Sequence, residues 1–225
     1  MIERKFDRLV SFDARSRNFP IRALLPSAVK PRSFTWSCNV WLDQGSQGAC
    51  TGFAVAQEAA ARPVVIRDVT NELAKEIYNR AKELDEWPGT DYEGSSVLAA
   101  IKAGKEHGWY TEYRWAFDES DLAAAIGYKG PAVLGVNWYE GMLNVDASGF
   151  VHVTGNILGG HAILCNGFNV KKQAYRVHNS WGQGWGVNSD AFISTADMRR
   201  LLAERGEACI PVVRGSSPSP SPSLP

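Results

Sequence analysis

A cysteine and a histidine in this 225-residue chain stand in settings that suit acyl chemistry. Cys50 ends the run Asp43-Gln44-Gly45-Ser46-Gln47-Gly48-Ala49 and opens the alanine-rich stretch CTGFAVAQEAAAR. No proline interrupts that stretch before Pro63, so a helix beginning at Cys50 is expected. Gly45 and Gly48 give the preceding turn its backbone freedom. A thiol on the first turn of a helix feels the positive end of the helix dipole, which favours thiolate. Free N–H groups at that end also hold developing negative charge. A lone cysteine more often merely packs a core, so a nucleophile needs a proton acceptor and something to orient it. Downstream stand Gly159-Gly160-His161-Ala162 and then Asn179-Ser180-Trp181-Gly182-Gln183-Gly184-Trp185-Gly186. His161 is the candidate base.

In this order, the Gln-Gly-x-x-Gly-x-Cys turn, the Gly-His-Ala segment and the Asn-Ser-Trp-Gly-x-x-Trp-Gly segment closely resemble the papain-like cysteine peptidases. The resemblance extends loosely over Leu24 to Val213. It implies an α+β fold of two lobes, helical then antiparallel β, with a cleft between them. It also implies roles for individual residues. Cys50 is the nucleophile and His161 its base, in a thiolate–imidazolium pair that lowers the cysteine pKa. Asn179 fixes the imidazole ring, and Trp181 shields that hydrogen bond from water. Gln44, six positions before Cys50, matches the side-chain donor of the oxyanion hole, with the Cys50 N–H as second donor. Glu93-Gly94-Ser95 is the nearest match to the family's peptide-binding strand, and Gly160 and Trp181 complete the expected substrate contacts. The implied substrate is a peptide or protein, cleaved through a thioester without metal or cofactor. An acyl transferase or peptide ligase on the same residues, and a non-catalytic peptide-binding module, are the alternatives.

Several features depart from the family pattern. Thr51-Gly52-Phe53 follows the nucleophile where the family has Trp or Tyr. Cys50 lies 111 residues before His161 and 129 before Asn179, against about 130–150 in the common pattern, which indicates shortened loops. Gln47 stands where secreted members carry a second, disulfide-bonded cysteine. That absence points to a reducing compartment and resembles bacterial or phage members. Cys38, Cys165 and Cys209 lack close-pair metal spacing, and a disulfide between two of them stays open. His107, His152 and His178 are assigned structural roles, with His178 alternating away from the site.

Lys+Arg and Asp+Glu each number 24, so no net field selects nucleic acid or an acidic membrane. The charged start MIERKFDRLVSFDARSR is no signal peptide, and no apolar stretch reaches the roughly 20 residues of a membrane span. A cytoplasmic location is therefore expected.

The elements that must position these residues follow from periodicity. Apolar faces predict helices over Thr70–Glu86, Gly94–Gly108 and Asp118–Gly127, and a shorter one over Thr195–Glu204. Short alternating runs predict strands at Ala132–Trp138, Phe150–Val153, His161–Phe168, Ala174–His178 and Ala191–Ser194, with an extended piece at Ala208–Val213. Helices first and strands later give the α+β order, with the helical lobe about 43–115 and the β lobe about 116–213 of a domain spanning 23–215. Residues 216–225 alternate serine and proline and are expected to form a solvated tail. Residues 1–22 are too few for the family's long inhibitory propeptide, so activity without large-scale processing is expected. They would pack on the surface or cover part of the cleft. Side-chain preference is expected to lie in cleft walls near 93–95, 133–136 and 207–210.

Overall fold

The computed structural model describes residues 4–61, 63 and 65–212. The Ser/Pro stretch 216–225 lies outside them.

The alanine-rich stretch forms α1 (Cys50–Ala61), and every one of its residues is buried. Helix α2 (Asn71–Leu84) is capped by the Thr70 hydroxyl, which accepts from the Leu73 N–H. Helix α3 (Val97–Glu106) is capped in the same way by Ser96. Gly52 lets α1 and α2 cross closely, since a Cβ there would lie 2.4 Å from the Ala74 carbonyl oxygen. Helices α4 (Glu119–Tyr128) and α5 (Thr195–Ala203) follow within the strand-rich half. The four predicted helices after α1 thus form within a few residues of their expected bounds.

Seven strands form one antiparallel sheet among the described residues. They are β1 (Phe34–Thr35), β2 (Glu112–Ala116), β3 (Ala132–Tyr139), β4 (Ile157–Asn169), β5 (Ala174–His178), β6 (Asp190–Ser194) and β7 (Glu207–Val212). The order is β2-β7-β3-β4-β5-β6, with β1 paired to β4. One expectation fails. Phe150–Val153 is no strand and makes a single bridge, Phe150 to Phe192. Its apolar alternation serves packing instead, since Val151 and Val153 are buried in the core. Two short strands, β1 and β2, carried no periodic signal. A lobe boundary at about 115–116 also cuts β2, which pairs along its whole length with β7.

The core divides in two. Helices α1, α2 and α3 close over one apolar cluster that includes Val133 of β3, Ala162 of β4 and Cys209 of β7. Helices α4 and α5 pack with the opposite face of those strands on a second cluster. This α+β arrangement carries the predicted two lobes, and the shared strands β3, β4 and β7 run along their junction. All four cysteines are free thiols, so the open disulfide question closes in favour of none. No helix among the described residues is long and apolar enough to cross a membrane.

Candidate active site

Cys50 begins α1, and His161 sits in β4 with Val136 of β3 as its register partner. Both are fully buried. The backbone N–H of Ala162, next to His161, faces the Cys50 sulfur and favours its charged form. The helical and sheet lobes therefore bring sulfur and imidazole to one junction.

The imidazole is held in a defined state. His161 Nε2 lies 2.9 Å from Asn179 Oδ1. That atom must be the amide oxygen, because it also accepts the Ser180 N–H at 2.8 Å. Nε2 therefore carries the proton, and in the neutral ring Nδ1 presents a lone pair. Nδ1 is buried without a hydrogen-bond partner among the described residues. Three aromatic rings box the imidazole. Trp181 lies 5.1 Å away at 36°, Trp138 4.8 Å away edge-on, and Phe6 6.0 Å away edge-on. Trp181 thus lies obliquely over the ring that makes the His161–Asn179 bond.

Gln44 is pinned beside this pair. Its N–H donates to the Ser180 carbonyl at 2.9 Å, and its Oε1 accepts from Ser180 Oγ at 2.7 Å. Its Nε2 donates to the Gln47 carbonyl at 2.8 Å. An amide nitrogen carries two hydrogens, so one such bond leaves a second donor. Behind the site, Gln57 Nε2 donates to the Asn179 carbonyl at 3.0 Å. Gln57 and Cys50 lie about two turns apart on one face of α1, a spacing visible in the sequence but not used there.

The cleft is occupied by the chain's own start. Residues 4–9 cross it as an extended strap, with Arg8 N–H donating to the Gly160 carbonyl at 2.8 Å and Leu9 N–H to the Ser95 carbonyl at 2.9 Å. Arg4 anchors one end on Asp43 at 2.6 Å and on the Trp181 carbonyl at 3.1 Å. Lys5 pairs with Glu93. Asp7 lies over Gly48 and Gly94, where a Cβ would come within 2.2 Å of Asp7 Oδ2 and 2.1 Å of the Asp7 carbonyl oxygen. The five residues expected to bind substrate, Glu93, Gly94, Ser95, Gly160 and Trp181, thus all touch the strap. Covering part of the cleft was among the expectations for residues 1–22. That the cover lies directly on the nucleophile, through Asp7, was not visible in the sequence.

Burial sets the charge state. Burial pushes the Cys50 thiol up to about 11, against the Ala162 N–H, and the Asp7 carboxylate adds to the rise. Burial pushes His161 down to about 4, although its bond to Asn179 works the other way. The expected lowering of the cysteine pKa is therefore reversed here. With water excluded by the strap, thiol and imidazole both rest uncharged.

His178 alternates away from the site, as expected, and has its own partners. Its Nδ1 meets Asp190 Oδ1 at 2.9 Å and its Nε2 the Val40 carbonyl at 2.8 Å. Burial opposes charge on this ring, but bonds to Asp190 and Cys38 outweigh it and lift the pKa to about 10. The resulting stabilisation is complete below the unfolded value near 6.5 and is lost as pH rises through about 10. Tm is therefore expected to fall between pH 7 and 10, by roughly 2–4 °C per kcal/mol lost. The fall should be flatter in His178→Gln, which keeps a hydrogen bond but not the charge. Parallel Tm curves for parent and variant across that window would remove the pair from the stability account.

The sequence profile of the papain family cysteine proteases matches residues 74–204. An uncharacterised peptidase C1-like protein of Acanthamoeba polyphaga mimivirus is 23% identical over 237 residues, covering 82% of this chain and 76% of that protein. A cathepsin B-like cysteine proteinase of Schistosoma japonicum is 41% identical over 71 residues, 31% of this chain but only 21% of that protein. Among solved structures, xylellain, a cysteine protease from Xylella fastidiosa, superposes with a TM-score of 0.66 at 16% identity, covering 96% of this chain and 99% of that one. A profile match over more than half of the chain, on a fold shared nearly end to end with xylellain, makes this protein a member of the papain family of cysteine proteases.

Proposed function

We propose that this protein hydrolyses peptide bonds through a thioester on Cys50, with His161 as acid and base, Asn179 as its orienting residue and Gln44 as oxyanion donor. The oriented imidazole carries the reading. Its Nε2 proton is committed to Asn179, and its Nδ1 lone pair has no hydrogen-bond partner among the described residues.

Once the strap leaves, water and substrate dipoles reduce the burial that holds both groups neutral. Nδ1 then takes the thiol proton, and the thiolate attacks the substrate carbonyl carbon. The second Gln44 Nε2 hydrogen and the Cys50 N–H at the start of α1 meet the tetrahedral oxyanion. As the C–N bond breaks, the imidazolium proton passes to the leaving amine. Water next attacks the thioester while neutral His161 takes its proton, and that proton returns to sulfur as the acid leaves. Peptide or protein is the substrate class.

Acid quenching during turnover of a mixed peptide library tests this scheme. The chain should carry an acyl group on Cys50, and products should gain water even with millimolar amine acceptors present. Amine adducts as the main product would make the protein a transferase, and no acyl-Cys50 would end the thioester scheme.

A further inference from the structure

A second cysteine lies beside a second imidazole, apart from the catalytic pair. Cys38 follows β1 and is half-buried, between the exposed residues Ser37 and Asn39. Its sulfur lies 3.8 Å from the Val40 carbonyl oxygen and 3.7 Å from the Gln57 carbonyl oxygen. The same Val40 carbonyl accepts from His178 Nε2 at 2.8 Å. Sulfur and imidazole thus share one acceptor, and the contact between them favours the charged ring. The ring has Asp190 at its other nitrogen, so thiol, imidazole and carboxylate form one cluster.

Geometry fixes the charge of that ring. Nε2 faces a carbonyl, which only accepts, so Nε2 carries a hydrogen. Nδ1 lies 2.9 Å from Asp190 Oδ1, and Asp190 also accepts from Arg176. An ionised carboxylate only accepts as well, so both ring nitrogens donate and His178 is an imidazolium. Two cations, His178 and Arg176, therefore share one carboxylate. The positive charge left over stands beside the Cys38 sulfur, and a neighbouring cation is what makes a thiol nucleophilic. Cys165 and Cys209 are fully buried, and burial there opposes thiolate. The cluster also reaches the catalytic pair. Gln57 takes the thiol contact on its carbonyl and donates from Nε2 to the Asn179 carbonyl. Its Oε1 is buried without a partner among the described residues, so no second bond secures that side chain.

We infer that Cys38 is a site of oxidation by hydroperoxides, prepared by His178, and that its sulfenic acid weakens the Cys50–His161 site through Gln57. The thiol first loses its proton to solvent, and the thiolate sulfur attacks one peroxide oxygen. An S–O bond forms as the O–O bond breaks, and sulfur passes two electrons to the peroxide. The leaving oxyanion takes a proton from the His178 imidazolium and departs as water or an alcohol, and the ring regains a proton from solvent. The added oxygen enters beside two carbonyls already close to the sulfur, so Val40 and Gln57 must give way. Only the effect on turnover rests on the peptidase reading; the reactive thiol does not.

The probe is hydrogen peroxide, with dimedone to trap sulfenic acid and mass mapping of the resulting peptides. In the full chain carrying Cys50→Ala, Cys38 should be labelled about tenfold faster than free cysteine at pH 7. That is roughly the gain open to a thiol otherwise a few per cent ionised. Cys165 and Cys209 should stay unlabelled, and His178→Gln should bring Cys38 down to the rate of free cysteine. Labelling of Cys38 no faster than free cysteine, with His178 in place, would overturn the inference, and that comparison needs no His178 variant to fold. It is read without turnover, so failure of the peptidase reading cannot imitate it.

Turnover supplies the second readout. Brief peroxide treatment of the unaltered chain should lower kcat/KM on a cleaved library peptide by about tenfold, the scale of a small displacement of a positioned group. Dithiothreitol should restore it, and Cys38→Ser should keep its activity through the same treatment. Equal loss in Cys38→Ser would overturn the link through Gln57 and make Cys50 the oxidised thiol.

Discussion

Cys50→Ala is expected to lower peptide cleavage by roughly 10³-fold or more, His161→Ala by a similar factor, and the double variant no further. Residues that act as one unit fail together, because a thiol without its base stays protonated and a base without its thiol has nothing to activate. Asn179 Oδ1 fixes which nitrogen of His161 holds the proton, and Trp181 and Trp138 pack against the ring. Measured as kcat/KM on the best library peptide, a value for either single variant within tenfold of the parent would sink the assignment.

Loosening the strap is expected to act in the opposite direction. Arg4→Ala with Phe6→Ala removes the Asp43 ion pair, the bond to the Trp181 carbonyl and the ring against His161. Contacts of this kind sum to roughly 1–3 kcal/mol. At about 1.4 kcal/mol per tenfold, Cys50 alkylation at neutral pH should quicken by about ten- to a hundredfold. The pH dependence should move as well. In the covered site the thiol sits near 11 because burial and the Asp7 carboxylate oppose thiolate, so alkylation of the parent rises steeply only in alkali. Readmitting water lowers Cys50 and raises His161 together, so the variant's profile should shift to lower pH. An unchanged rate and profile would mean that the strap does not control access. The expectation of activity without large-scale processing fits this picture only if the strap is displaced rather than cut away.

Much of the site was legible from local pattern. A turn rich in glycine must end in a helix when an alanine run follows, and that placed Cys50 at the start of α1. Strand alternation put His178 and Asn179 on opposite sides of β5's end, so one faces Asp190 and the other His161. Helices α2, α3 and α4 were legible through their apolar faces, and in the structure Thr70, Ser96 and Asp118 cap them, each accepting from an N–H three residues on. Resemblance to the family supplied the roles of Asn179 and Gln44, which no periodicity contains.

What stayed hidden was long-range. Phe150–Val153 alternates like a strand, yet no neighbour offers it a full edge. Glu112–Ala116 is a strand only because β7 supplies its partners. The strap has no period, and two backbone bonds to Gly160 and Ser95 fix its path. The reversed charge state of Cys50 and His161 is likewise a property of enclosure, which depends on what covers a side chain and not on its neighbours in sequence.

The sequence alone determined the helices, most of the strand alternation and, through order and spacing of three motifs, the candidate residues of a papain-like site, because turns and periodicities are written in adjacent residues. Only the tertiary structure decided that Arg8 meets Glu207 and that Asp7 lies on the nucleophile. Those contacts join segments far apart in the chain, and their energies come from burial and Coulomb interaction in three dimensions.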